Sequence, residues 1–415
     1  MPVSTAFRLL GSGTEGALER ARALSPDEVI SVVERSGLRG RGGAGFPLAE
    51  KLRSVRTAAA LVGETYVVAN AYDADPASPL SRTLLERQPD LVLDGIEIAA
   101  RVVGATECYL YLHPEAKEAR AVAEDALSRR IEDLSKAGVS IEVALGPGGF
   151  MGGEESALLA VLEGRRAMAR QRPPWPAEQG VRLRPTLVSS AETLANVPLI
   201  VRDGPEPFRV AGTAGSRGTK LVSVTGSVAS PGVYEVSFGS TLGEIVQTAG
   251  GVTTALKAIH VGGPTGGILS ATRTDVRLDY EELKAAGTHL GSAQIRAIPE
   301  GTCIVNEAAK LFAYLSKENC GICVPCRVGT KRVGGIIEGI YSDLGREDDL
   351  PWLSELADHL HDFSLCGFGI TSASIIRTTM AEFPDDYRAH ILERRCPVGT
   401  CTPVRARRYE TMAQP

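Results

Sequence analysis

No stretch of 18 apolar residues free of charge, glycine or proline occurs in the chain, so no segment reads as a membrane-spanning helix. The start, MPVSTAFRLLGSGTEG, has no apolar core behind a basic flank and does not read as a secretion signal. These two absences predict a cytoplasmic protein without direct membrane insertion, any membrane association running through partner subunits. Positive charge is not in excess either. Forty-five lysines and arginines against 50 acids leave a net charge of −5, which provides no overall field for nucleic acid, and nucleic acid is not an expected partner. Cysteine is sparse, 8 in 415 residues, too few for a disulfide framework. Because several fall in tight clusters with glycine and proline, they predict metal instead.

At 43 % apolar content over 415 residues, the chain can fill two or three separate cores. TYVVAN (65–70), CYLYLH (108–113) and VSIEVAL (139–145) read as strands, with LLERQPDLVLDGIEIAARVVGA (84–105) and EAKEARAVAEDALSRRIEDLSKAG (115–138) as helices between them. That alternation predicts a parallel sheet covered by helices, with ligands at the carboxyl ends of the strands. The stretch DGPEPFRVAGTAGSRGTK reads as a linker, followed by two strands, LVSVTGSV and GVYEVSFG, and the short helix of TLGEIVQTAGG, a small ββα module. From about residue 301 the apolar spacing turns helical: Val305, Ala308, Phe312 and Leu315 share a face, as do Val333, Ile336, Ile337 and Ile340, then Leu353, Leu356, Ala357 and Leu360, then Ala373, Ile376, Met380 and Phe383. Four such stretches predict a four-helix cluster.

Between the first two of these helices lies KENCGICVPCRVGTKR, with Cys320, Cys323 and Cys326 at an unbroken spacing of three. Three thiolates at this spacing can turn inward from one loop onto a cuboidal [4Fe–4S] cluster completed by a distal cysteine, whereas zinc more often takes paired CxxC units. Buried, unligated thiols would not require the spacing. Cys303, Cys366, Cys396 and Cys401 are candidates for the fourth ligand, and Cys366, in SLCGFG, is favoured because the following glycine permits close backbone approach. Two glycine-rich loops, SGLRGRGGAGFPLAEKL (36–52) and GPGGFMGGEESALL (146–159), each run into a helix, an arrangement that crowds main-chain N–H groups around phosphate. Either loop alone is as well read as a flexible connection.

The residues GLRGRGGAGFP, VVANAYDADP, GGEESALLAVLEGRRAMARQRPPWPA, ETLANVPLIV and ENCGICVPCRVGT with the distal SLCGFG resemble, in the same order, the flavin- and NADH-binding subunit of respiratory complex I and of soluble NAD-linked hydrogenases and formate dehydrogenases. The resemblance implies an α/β parallel-sheet flavin domain (1–205), a linker and β-grasp (SLBB-like) insert (206–300), a C-terminal four-helix bundle carrying an iron–sulfur cluster (301–388) and a tail (389–415). It implies FMN, NAD(H) and one [4Fe–4S] cluster, with Cys366 as the fourth ligand beside Cys320, Cys323 and Cys326. By the same resemblance, Gly40, Arg41, Gly42, Gly43 and Lys51 would hold the flavin, Phe46 and Trp175 would stack on the dinucleotide, and Glu154 and Glu155 would lie beside flavin and nicotinamide. Asn70, Asp73, Asp75, Phe150, Gly153, Ser189 and Ser190 fall on further cofactor-binding positions. The chain departs from the family pattern at Tyr72 (usually acidic), Ser189 and Ser190 (usually Asn–Asn), Phe150 (Tyr), Gly152 (Cys), Trp175 (Phe) and Ser54 (aromatic).

The implied activity is electron transfer between NAD(H) and a partner iron–sulfur protein, within a larger oxidoreductase that includes a thioredoxin-like [2Fe–2S] subunit and further electron-accepting subunits. The departures leave two other readings, the same fold with another donor such as NADPH or a reduced carrier, and a flavin-free iron–sulfur relay. In the tail, DDYRAHILERRCPVGTCTPVRARRYE, His390, Cys396 and Cys401 resemble the end of the hydrogenase-type members and with Cys303 would make a four-ligand zinc site. The basic RARRYE reads as a solvated tail.

Overall fold

The strand–helix alternation folds as a four-stranded sheet in the computed structural model, which describes residues 9–401. RARRYE lies outside the described residues. Two units emerge. One gathers the described residues up to Ser223 with Val233–Ser240 and Arg277–Glu281, the other Val224–Gly232, Thr241–Val276 and Glu282 onward.

The first unit opens with α1 (Ala17–Ala23), α2 (Pro26–Ser36) and α3 (Leu48–Val62). β1 (Tyr66–Ala71) follows, then α4 (Leu80–Arg87), α5 (Pro89–Val103), β2 (Glu107–Leu112), α6 (Lys117–Arg129), α7 (Ile131–Ala137), β3 (Ser140–Leu145), α8 (Glu155–Leu162), β4 (Thr186–Ser190), α9 (Ala191–Asp203) and α10 (Pro205–Val210). The strand order is β3-β2-β1-β4, all parallel, with Asn70 beside Tyr111 on one flank and Ser190 on the other. The central strand β1 is apolar and buried at almost every position, while the edge strand β3 alternates toward solvent. That contrast is the ordinary burial gradient of a helix-covered parallel sheet.

Four sequence readings change here. Residues 84–105, read as one helix, form α4 and α5, because Pro89 cannot continue a helix from Gln88 and instead starts a new one. Residues 115–138 likewise divide into α6 and α7 at Arg130. β4 has no counterpart in the sequence reading; its TLVSS lies in a run of mixed polarity and becomes a strand by pairing with β1. The stretch read as a linker carries α10, whose Phe208 is fully buried. Gly95 sits mid-helix for a packing reason, since a Cβ there would lie 2.2 Å from the carbonyl oxygen of Leu194 on α9.

The chain then runs through β5 (Thr219–Gly226), β6 (Gly232–Ser237), α11 (Leu242–Thr248), β7 (Leu256–Val261), β8 (Gly267–Ser270), α12 (Tyr280–Ala285) and β9 (Gln294–Pro299). The expected ββα module is thus part of a five-stranded sheet, order β6-β5-β9-β7-β8, with β7 antiparallel to both β8 and β9. Of the three strands the sequence reading did not name, β8 has four residues, and β7 and β9 six each.

The helical part of the second unit comprises α13 (Ile304–Glu318), α14 (Val324–Tyr341), α15 (Asp349–Phe363), α16 (Gly367–Glu382) and a fifth, short α17 (Pro384–Leu392). Each long helix packs on the next and α16 returns to α13, with α17 against α13, α14 and α16. The predicted apolar faces are the buried ones, with Phe312, Val333, Ile337, Ile340, Leu353 and Leu360 fully inaccessible. Ala258, Ile268, Ile298, Ile304 and Phe383 join the sheet to the helices in one core.

Candidate functional sites

The first glycine loop is a tight hairpin. Arg39 and Pro47 pair antiparallel, the Gly40 N–H donates to the Phe46 carbonyl at 2.8 Å, and Gly43 turns at φ 106°, a conformation open to glycine. The Arg41 N–H donates to the Thr193 hydroxyl at 2.8 Å, and a Cβ on Gly42 would stand 3.6 Å from that of Ser190. The loop therefore lies across the amino end of α9, where Ser190 caps the helix, at the carboxyl ends of β1 and β4. A glycine-rich loop over a positive helix end fits a phosphate-bearing cofactor.

Side chains of the second loop and its neighbours form a charged ladder. Glu154 is the N-cap of α8, accepting from the N–H groups of Ser156 and Ala157 at 2.9 and 2.8 Å. Lys51 donates to Glu155 at 2.8 Å and to the Val188 carbonyl at 2.9 Å. Arg172 is a member of this ladder that the sequence reading missed, since nothing in the sequence distinguishes it from its neighbouring arginines. It pairs with Glu154, approaches Glu155 at 3.7 Å and lies over the Trp175 ring at 5.5 Å. Trp175 and Phe46 are about half exposed, 52 % and 48 %.

Other predicted site residues have structural duties. Arg41 is buried, and its guanidinium donates to the carbonyls of Thr219, Arg39 and Arg217 at 3.0, 2.8 and 2.6 Å. Asn70 donates to the Gly153 carbonyl at 2.9 Å and accepts from the Tyr72 N–H, tying the end of β1 to the second loop. Asp73 accepts from the N–H groups of Ser81 and Arg82 at 2.9 and 2.8 Å at the start of α4. Burial raises its carboxyl to about 6 against those two bonds. Asp75 is buried and accepts from the Ala77 N–H at 3.0 Å. Ser189 is buried on β4, and Phe150 is half-buried in the second loop.

Two of the departures prove to be one. The Tyr72 ring, buried and stacked on Tyr111 with centroids 5.3 Å apart, fills the space beside Gly152, where a Cβ would fall 2.2 Å from the Tyr72 hydroxyl oxygen. A cysteine at 152 and a tyrosine at 72 exclude each other, so the tyrosine goes with the glycine.

In the second unit the cysteine triplet and Cys366 come together. Cys326 and Cys366 are buried, Cys320 and Cys323 half-buried. Burial first, and then the proximity of Cys323, Cys366 and Cys320, pushes the Cys326 thiol up. Cys323 and Cys366 are the N-caps of α14 and α16, so two positive helix ends meet the thiols, the arrangement a negatively charged thiolate-bound cluster requires. A Cβ on Gly369 would lie 3.2 Å from that of Cys326, which explains the second glycine of SLCGFG. The donor set fits the cuboidal cluster expected from the spacing.

Cys303, His390, Cys396 and Cys401 form a tighter group, with all four ligand atoms within 4.8 Å of one another. Cys303 Sγ lies 3.2 Å from His390 Nε2, and Cys401 Sγ 3.9 Å. Ligands at about 2.3 Å on a tetrahedral ion stand about 3.8 Å apart, so this span suits one ion rather than a cluster.

Comparison with known families agrees with this division. The Nuo51 FMN-binding domain matches residues 33–199, an SLBB domain residues 221–269, and the NADH-ubiquinone oxidoreductase-F iron–sulfur binding region residues 306–390. The NADP-reducing hydrogenase subunit HndC of Solidesulfovibrio fructosivorans is 36 % identical over 94 % of this chain and 81 % of its own length. The chain belongs to this family. A subunit of the NADH-quinone oxidoreductase of Aquifex aeolicus is 34 % identical over 92 % of this chain and 90 % of its own length. A crystal structure of an NAD+-reducing [NiFe]-hydrogenase in the H2-reduced state superposes with a TM-score of 0.87 at 33 % identity, covering 97 % of this chain and 69 % of that one. The family domains account for the glycine loops and for the cysteine triplet. As in the sequence reading, no helix among the described residues is long and apolar enough to cross a membrane.

Proposed function

We propose that the chain carries electrons between NAD(H) and a partner iron–sulfur protein as a subunit of a larger oxidoreductase. The observation that carries this reading is the glycine loop laid over the amino end of α9 at the strand ends, joined through Arg41 and Thr193 at 2.8 Å, in a chain that also gathers four cysteines. When bound, FMN would accept a hydride from the nicotinamide, and a [4Fe–4S] cluster would take its electrons singly.

Gly40, Gly42 and Gly43 would hold the flavin phosphate with α9, and Arg41 would act as the internal strut of that loop. Lys51 and Arg172 hold Glu155 and Glu154 in place beside the site. Phe46 and Trp175 would take the dinucleotide by stacking, with Trp175 seated by Arg172. Asn70, Asp73, Asp75, Gly153, Phe150, Ser189 and Ser190 would shape the walls. Cys320, Cys323, Cys326 and Cys366 would ligate the cluster. Cys303, His390, Cys396 and Cys401 would bind zinc, tying the chain around residue 400 to α13 and α17.

The domain limits we assign are residues 1–205 for FMN and NADH, 206–300 for the linker and β-grasp insert, 301–388 for the cluster, and a tail from 389. A thioredoxin-like [2Fe–2S] subunit and a cytoplasmic setting complete the proposal. NADPH is a second reading for the donor. The outer face of α3 carries at position 54 a serine bonded to the Glu50 carbonyl at 2.9 Å in place of an aromatic ring, and the Solidesulfovibrio relative is named as NADP-reducing. An anaerobic visible spectrum with flavin quantified, before and after each nucleotide, tests both. Flavin and iron–sulfur absorbance bleached by NADH supports the proposal, bleaching by NADPH alone moves the donor, and absence of flavin after reconstitution rejects the dehydrogenase reading.

A further inference from the structure

Beside the first glycine loop lies a buried ion pair outside the ladder of Glu154, Glu155, Lys51 and Arg172. Lys220 on β5 and Glu192, the second residue of α9, are 1 % and 4 % exposed, and the Lys220 ammonium donates to one Glu192 carboxylate oxygen. The other oxygen accepts from the Leu221 N–H at 2.8 Å, and the ammonium also donates to the Leu221 carbonyl at 2.8 Å. Glu192 thereby clamps the first turn of α9 to β5. The same strand braces the rest of the site. The Thr219 carbonyl accepts from Arg41 at 3.0 Å, and the Ser223 hydroxyl donates to the carbonyl of Ala77, beyond β1, at 2.6 Å.

The place of Glu192 in the helix is what makes its charge matter. It stands at the amino end of α9, and the next residue, Thr193, accepts the Arg41 N–H of the glycine loop at 2.8 Å. An acid in a first turn favours the helix by answering the positive end of its dipole, and for the same reason it opposes any phosphate received there. The bond from the Leu221 N–H needs only an oxygen acceptor, which a glutamine would also offer. A buried ion pair, moreover, is often no more stabilising than well-packed neutral residues of the same volume. Neither helix capping nor packing therefore calls for an ammonium at 220. Burial lowers the Lys220 ammonium and Glu192 beside it raises it, with Arg41 and Asp73 as the further charges acting on it.

We propose that Lys220 is a positioning residue for the flavin phosphate: it cancels the charge of Glu192, so that this carboxylate clamps α9 to β5 without repelling a phosphate at the same helix end. The inference rests on the reading of the glycine loop as the FMN phosphate site. At 1 % exposure Lys220 touches no ligand itself and acts through Glu192. Its loss leaves an uncompensated buried anion in the first turn of α9, whereas loss of Glu192 leaves a cation beside that turn. The two losses therefore have opposite signs for a phosphate and the same sign for the fold.

The test uses the full chain, freed of flavin under anaerobic conditions and titrated by flavin fluorescence with FMN and with riboflavin, which lacks the phosphate. Lys220→Met is expected to weaken FMN binding about tenfold while riboflavin binding stays within about twofold of wild type. Glu192→Gln is expected to tighten FMN binding about threefold, again with riboflavin unchanged. The double variant Lys220→Met/Glu192→Gln, neutral once more, is expected to fall between the two single variants. Should Lys220→Met fail to fold, Glu192→Gln decides alone: tighter FMN binding supports the proposal, and equal or weaker binding overturns it. Losses of equal size for FMN and riboflavin in the two single variants make the pair a structural one and also overturn it. A wild-type chain that binds neither flavin overturns the glycine-loop reading, and the proposal with it.

Discussion

The glycine loop of the first unit and the cysteine loop of the second hold their groups by opposite means. In and around the glycine loop the reactive-looking side chains are spent on the protein itself: Arg41 binds three carbonyls, Asn70 ties β1 to the second loop, and Asp73 holds the start of α4. What is left for a ligand is backbone, a helix end and the open rings of Phe46 and Trp175. In the cysteine loop the side chains are the donors, and the backbone positions them as N-caps of α14 and α16. A backbone site should tolerate changes in exposed side-chain charge and fail on a change of shape. A side-chain site should fail on a single donor.

The largest effect is expected at the donors. Cys326→Ser should abolish the broad iron–sulfur absorbance and lower electron delivery to a protein acceptor by more than about 100-fold, with flavin content retained; an intact cluster would remove Cys326 from the ligand set. Next comes the tighter constellation, where His390→Ala should reduce zinc from one equivalent to near zero by elemental analysis and lower the melting temperature. Equal zinc in both proteins would show that the four residues bind none.

Shape is the weak point of the first unit. Gly152→Ala places a Cβ against the Tyr72 hydroxyl and should destabilise the fold by about 1–3 kcal/mol in denaturant titration, a cost that should largely vanish when the same change is made in a Tyr72→Ala background. Gly43→Ala, at φ 106°, should weaken flavin retention by about tenfold, measured by flavin release on dilution, without affecting iron content.

The smallest effect is electrostatic. The Asp73 carboxyl is raised in the fold to about 6 from an ordinary 3.8, so the folded state binds its proton more tightly than the unfolded chain. That contribution to stability is full below pH 4 and is lost as pH rises through 6. Asp73→Asn should therefore flatten the decline in stability between those values, and an unchanged slope would place the titration elsewhere.

Much of this was legible beforehand because the signals were local. The spacing of Cys320, Cys323 and Cys326 and the apolar faces of α13 to α16 depend only on neighbours within a few residues. The misread elements depended on distant partners. β4 is a strand because β1 lies beside it, and α10 forms where its Phe208 can be buried. Arg172 was invisible because its importance comes from Glu154 and Trp175 meeting it across the second loop.

By itself the sequence determined the family, the parallel-sheet class, the cluster triplet and the helical faces, since each is written in periodicity, spacing or glycine placement. Only the tertiary structure decided that Arg41 faces inward, that Tyr72 and Gly152 are a matched pair, and that Val324 and Val328 stay exposed beside the cysteines. Each of these is a relation in space, and a side chain's role follows from what else fills the few ångströms around it.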